Sequence, residues 1–222
     1  MSPKIISDPH EKFPLSSKEL NECNFTNLIS KIELLDVGSD DLTVRFSMLE
    51  NGSNGTVSIE ILESDGSYET AGNVNYTKIN IEGSCLENGV QISSAYFSTD
   101  YRGFSLGTRT YEMIARKYLL ISDNTQTHDG AAFWKYGIGD NDKLEVQIVI
   151  NPTNNQTKPY KMIDSDGNPT IYHYSKEELE PLIWGLELPS DDSKHPSINA
   201  SKTNSREDIV LIVSHCKPSF ND

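Results

Sequence analysis

The chain has 222 residues, of which 36% are hydrophobic and 23% charged, enough apolar material for a sizeable core beneath a polar surface. With 33 acidic against 19 basic residues its net charge is −14, which opposes binding to nucleic-acid phosphates or anionic membranes and favours cationic partners. No run reaches membrane-helix length, Met1-Ser2-Pro3-Lys4 lacks an apolar signal region, and Cys23, Cys85 and Cys216 share no metal-like spacing. The expectation is a cytoplasmic protein with reduced thiols. Imitation of nucleic acid would need long ordered rows of acid, whereas the acidic residues are scattered, with short clusters such as Asp40-Asp41 and Glu177-Glu178.

In chain order, residues 1–15 hold two prolines and little apolar content and read as loosely attached. Leu20, Phe25, Leu28 and Ile29 suggest a short helix or a pair of turns over residues 17–29. Alternation then takes over. Residues 43–49 and 56–62 read as strands joined by the turn signals Asn51-Gly52 and Asn54-Gly55. After the Asp65-Gly66 turn, residues 74–81 and 91–98 alternate again, so the first half is expected to be an antiparallel meander.

At Gly103 the period changes. Tyr111, Ile114, Ala115 and Tyr118 share a helical stripe, with Arg109, Glu112, Arg116 and Lys117 largely around the other side. Residues 119–122 form a short apolar strand, residues 127–136 a second helix stopped by Gly137, and residues 143–150 another strand. Residues 160–163 and 170–174 flank the turn Asp164-Ser165-Asp166-Gly167-Asn168-Pro169 as a small hairpin. Ser175 and Glu178 suggest a capping box, residues 189–206 are polar, and residues 208–213 return as an apolar strand. The fold class is α/β with an α+β mixed sheet. It reads as one domain over 1–222, with a loose start at 1–15, an insertion at 151–206 and a closing strand.

The chemistry is concentrated in Asp100-Tyr101-Arg102-Gly103-Phe104-Ser105-Leu106-Gly107-Thr108, where a strand turns into a helix. Glycines let the backbone turn tightly, and the first helical amides have no internal partner. The helix dipole makes that end positive, and Arg102 adds a full charge. Together they suit a phosphate-type anion. Thr108-Arg109 after Gly107 excludes a Walker loop, and the preceding antiparallel strands exclude a dinucleotide fold.

The order of these parts, with Arg102-x-x-Ser105-x-Gly107 at the turn, resembles the GNAT superfamily of acyl-CoA-dependent N-acyltransferases, whose loop reads Arg/Gln-x-x-Gly-x-Gly/Ala. Ser122-Asp123 followed by Thr127-x-x-Gly130-Ala131-x-x-Trp134 is similar to GNAT-like proteins encoded by bacteriophages. The resemblance spans roughly residues 43–150 and the closing strand. It implies acetyl-CoA as co-substrate, its pyrophosphate held by Arg102, Gly103, Phe104, Ser105, Leu106, Gly107 and Thr108. The pantetheine arm would run along Ala95, Tyr96 and Phe97.

Two positions depart from the family. Ser105 replaces the middle glycine. Phe133-Trp134 stands where a Leu-Tyr pair would supply the acid for the leaving thiolate, and an indole cannot give up that proton. Tyr136 is the substitute acid, provided the helix is rotated. Asp123 is the candidate base, or equally the cap of the following helix. His128 is a further, weaker base candidate.

Two functions stay open. One is an acetyl-CoA-dependent N-acetyltransferase acting by direct attack on the thioester, with a cationic small-molecule or protein amine as acceptor. The other is an inactive GNAT-like binding protein, a phage product docking on a host partner. Neither needs direct nucleic-acid or membrane binding, and both leave room for a homodimer.

Overall fold

The computed structural model describes residues 4–6, 27–34, 42–101, 103–122, 125–150, 158–179, 183 and 209–216. It is a mixed α/β protein with few helices among these residues. The chain divides into two compact units. One comprises residues 11–79 and 90–113, the other residues 1–10, 80–89 and 114–222.

In the first unit the strands are β2 (Asn27–Leu34), β3 (Val44–Asn51), β4 (Asn54–Leu62), β5 (Tyr68–Ile79) and β6 (Gly89–Phe97), which follow one another in sheet order. β1 (Lys4–Ile6) belongs to the other unit. The β2–β3, β3–β4 and β4–β5 pairs are antiparallel, as the alternating sequence predicts. The β3–β4 connection tightens to Gly52-Ser53, with Asn51 opposite Asn54 and Gly52 at φ 60°. A glycine with positive φ at the first central position is what a type II′ hairpin turn requires.

β3 turns Val44, Phe46 and Met48 into the core against Val57, Ile59 and Ile61 of β4 and Val74 and Tyr76 of β5. A buried carboxylate is accommodated beside them. Glu50, 6% exposed, accepts hydrogen bonds from the Tyr76 hydroxyl at 2.9 Å and the Lys78 ammonium at 2.6 Å. Its charge is thereby paired and solvated by protein donors.

β2 lies inside the stretch where the sequence suggested a helix at 17–29; the rest of that stretch falls outside the described residues. The β2–β3 register slips between Leu28 and Ser30, so the adjacent Leu28 and Ile29 mark a bulge and imitate helical spacing.

Helix α1 (Leu106–Ala115) follows β6 and buries Leu106, Thr110, Tyr111, Met113, Ile114 and Ala115. Glu112, expected on the polar side, is only 4% exposed and lies 3.4 Å from the Arg109 guanidinium. The helix ends at Ala115, short of Tyr118, because Lys117 and Tyr118 both donate to the Ile114 carbonyl.

In the second unit, β7 (Leu119–Ile121), β9 (Leu144–Ile150), β10 (Tyr160–Lys161) and β11 (Ile209–His215) form an antiparallel array in the order β10-β9-β11-β7. The last strand therefore lies between the two earlier ones. Ser122, wholly buried, fixes that register: its N–H donates to the Leu211 carbonyl at 2.9 Å and its hydroxyl accepts the Leu211 N–H at 3.1 Å. β8 (Thr125–Thr127) pairs in parallel with β1.

The second helix differs from the sequence expectation. Only α2 (His128–Ala132) is α-helical, and Phe133–Ile138 continue as a π-helix whose closing bond runs from Gly139 N–H to the Trp134 carbonyl at 2.9 Å. Gly137, read as the stop, lies inside it, where a Cβ would stand 2.8 Å from the Phe133 ring. The expected hairpin forms and joins the sheet through Met162 N–H to Ile148 O at 2.9 Å and Tyr172 N–H to Val146 O at 2.8 Å. Ser175 does not cap a helix through its hydroxyl, which is taken by His173 Nδ1 at 2.7 Å. The polar stretch 189–206 and most of 1–15 lie outside the described residues.

Candidate functional site

The loop entering α1 is built from backbone geometry. Gly103 has φ 92° and Ser105 has φ 57°, so a non-glycine residue occupies the left-handed region immediately before the helix. The Ser105 carbonyl accepts the first helical bond, from Arg109 N–H at 3.0 Å. The amides of Leu106, Gly107 and Thr108 therefore precede the first helical donor and point out of the helix end. A left-handed residue beside a helix start turns successive N–H groups toward one point, the concave arrangement that suits anions.

The side chains leave that end open. Gly103 and Ser105 are exposed, Phe104, Gly107 and Thr108 are half-buried, and a Cβ at Gly103 would meet nothing within 4 Å. Leu106 is 3% exposed, so its side chain anchors the helix to the core and only its amide faces outward. These residues offer main-chain donors and carry no carboxylate of their own.

The strand that feeds the loop is held on one side by β5. Ser98 N–H donates to the Ala71 carbonyl at 2.8 Å, and Gly72 admits the close approach, because a Cβ there would lie 2.5 Å from the Tyr96 carbonyl oxygen. Tyr96 is 36% exposed and Phe97 half-buried at this strand end.

Just before the loop the Tyr101 hydroxyl reaches the carboxylates of Glu69 at 2.9 Å and Glu63 at 3.3 Å. Burial, the hydrogen bond to Glu69 and the two negative charges push its phenol pKa far above the ordinary range. It stays a neutral donor and ties the entrance of the loop to the β4–β5 hairpin. No spacing or motif in the chain connects Tyr101 with these two carboxylates.

Tyr136 lies in the other unit, on the π-helix. It is 37% exposed while Trp134 is 3% exposed, so the phenol faces solvent and the indole faces the core. Around Tyr136 stand residues that no sequence spacing connected with it. Its ring centroid is 6.1 Å from that of Tyr174, which is 4.7 Å from that of His173. His173 Nε2 is 3.5 Å from Asp140 Oδ1.

Arg102 and Asp123 lie outside the described residues, as does the side chain of His128. Among the described residues no helix is long and apolar enough to cross a membrane. No family model, curated protein or solved structure matches the chain.

Proposed function

We propose that the chain is an acetyl-CoA-dependent N-acetyltransferase acting on an amine of a cationic acceptor. The observation that carries the reading is Ser105. At φ 57° it adopts a conformation natural to glycine, at the position where the resembled loop motif has one. The backbone geometry thus favours the motif although the residue type departs from it. The order β7-β11-β9, with the final strand between two earlier ones, supports the closing-strand arrangement that the resemblance implies.

In this reading the amides of Leu106, Gly107 and Thr108 hold the pyrophosphate, and Arg102 adds a charge. The acceptor nitrogen attacks the thioester carbonyl, the C–N bond forms and the C–S bond breaks. Asp123 takes the proton from nitrogen and the Tyr136 phenol supplies one to the departing sulfur. Tyr136, exposed on the π-helix, suits the acid role better than Trp134. Burial of that indole favours the second reading, a GNAT-like protein that binds a partner without catalysis.

Calorimetric titration with acetyl-CoA tests the proposal. Saturable binding is expected, weakened roughly ten- to hundredfold in Arg102→Ala through loss of a charge-assisted contact of about 1.5–3 kcal/mol. Gly107→Val should weaken it further by crowding the helix start. Binding with release of free thiol in the presence of a polyamine supports the enzyme, and binding without thiol release across an amine panel favours the second reading. No heat with acetyl-CoA or coenzyme A at millimolar concentration overturns the proposal.

A further inference from the structure

Beside the π-helix, Tyr136, Tyr174, His173 and Asp140 form a surface whose ring faces have no part in acyl transfer. The Tyr136 and Tyr174 rings are 37% and 38% exposed, with centroids 6.1 Å apart and planes inclined by 59°. The His173 ring continues the row, 4.7 Å from Tyr174 and inclined by 39°. Inclined ring faces that remain partly open make a curved, electron-rich surface of the kind that attracts an ammonium ion.

The row ends at a carboxylate. His173 Nδ1 accepts the Ser175 backbone N–H at 3.2 Å, which leaves the proton of the neutral ring on Nε2, 3.5 Å from Asp140 Oδ1. Asp140 is thereby set beside the rings while more than half of its side chain stays exposed.

One ammonium already uses this chemistry. Lys135 Nζ lies 5.0 Å over the Tyr136 ring, and Lys135 is only 5% exposed, so the face it covers is turned inward. Its charge opposes a second cation. Asp140 and Asp142, both exposed on the turn after the π-helix, set two negative charges against it, and the chain as a whole carries −14.

We infer that the outer faces of Tyr136 and Tyr174, with Asp140 as counter-ion, bind alkylammonium cations such as the charged groups of a polyamine. The inference stands apart from acyl transfer, because it needs only ring faces and a carboxylate. If acyl transfer holds as well, the bound cation is part of the acceptor.

The test is an NMR titration of the tyrosine and histidine ring signals with tetramethylammonium chloride and with spermidine, against sodium chloride at equal ionic strength and against tert-butanol. Saturating shifts at Tyr136, Tyr174 and His173 are expected from both cations. Tyr174→Leu should weaken binding about tenfold, Asp140→Asn about threefold, and Tyr136→Phe should leave it near wild type because the ring face remains. The surface position of Asp140 keeps that variant informative should Tyr174→Leu disturb the hairpin. Equal shifts from sodium chloride or tert-butanol overturn the inference. So do ring shifts that follow protein concentration alone, or undiminished binding in both Tyr174→Leu and Asp140→Asn. Loss of acetyl-CoA binding with these shifts intact would end the acyl-transfer reading and leave this one standing.

Discussion

The loop at residues 103–108 and the π-helix at 133–138 are the two places where the backbone leaves regular geometry beside a candidate site, and they do so in opposite ways. The loop presents main-chain donors: Gly103 and Ser105 adopt positive φ, and Leu106 puts its side chain inward. The π-helix presents side chains, turning Tyr136 outward and Trp134 inward and bringing Tyr136 beside the hairpin residue Tyr174. A site made of amides depends on a few neighbouring residues. One made of side chains depends on which distant strand packs next to it.

Glycine substitutions on the two sides should give unequal costs. A Cβ at Gly139 would lie 2.6 Å from the Lys135 carbonyl oxygen and 2.8 Å from the Tyr172 ring, so neither neighbour has room. Gly139→Ala should cost about 2–3 kcal/mol, in the range typical of overpacking. At Gly103, with open space but φ 92°, Gly103→Ala should cost only the left-handed backbone penalty of about 1 kcal/mol. Urea denaturation of the two variants measures the difference, and equal midpoints would remove the contrast between a packed and an open turn.

Ser105→Gly sharpens the loop side. Relief of the left-handed strain, offset by glycine's greater chain entropy, should stabilise the protein by about 0.5–1 kcal/mol. If acetyl-CoA binding also tightens, the serine side chain obstructs the anion; if it weakens, the hydroxyl is a ligand contact.

The smallest effect concerns Tyr101. Its folded-state pKa lies above the ordinary value of about 10, so its contribution to stability is fully present below that pH and is lost as pH rises through the folded value. An alkaline absorbance titration should show one fewer late-ionising tyrosine in Tyr101→Phe than in the wild type. Simultaneous ionisation in the wild type would mean that the bonds to Glu63 and Glu69 do not persist in solution.

The same contrast explains what the sequence revealed. The meander was visible where Val44, Phe46 and Met48 alternate with outward residues, and the turn into α1 where glycines meet a change of period. β2 was hidden by its bulge. The first half of β5 was hidden in the same way, since the register with β4 slips where Glu60 faces Thr70 and Ile59 faces Gly72, leaving Ala71 as an extra residue. The π-helix had no local signal, because its cause is tertiary: Gly139 must pass close to Tyr172, on a hairpin distant in sequence. His173 and Tyr174 became candidates only once that hairpin was seen beside Tyr136. Tyr101 looked like an unremarkable loop residue until its two carboxylate partners, on either side of the β4–β5 turn, came into view.

The position of β11 has a consequence for synthesis. Leu211 meets Ser122 across 89 residues of chain, and among the described residues β7 and β9 are joined to one another through β11, which lies between them. Until that late segment leaves the ribosome, two apolar strand edges stand open with nothing between them, and long-range closure of this kind is slow. The nascent chain therefore passes through a stage at which its second unit is open to mispairing, and a chaperone that shields the edges of β7 and β9 would raise the yield of folded protein.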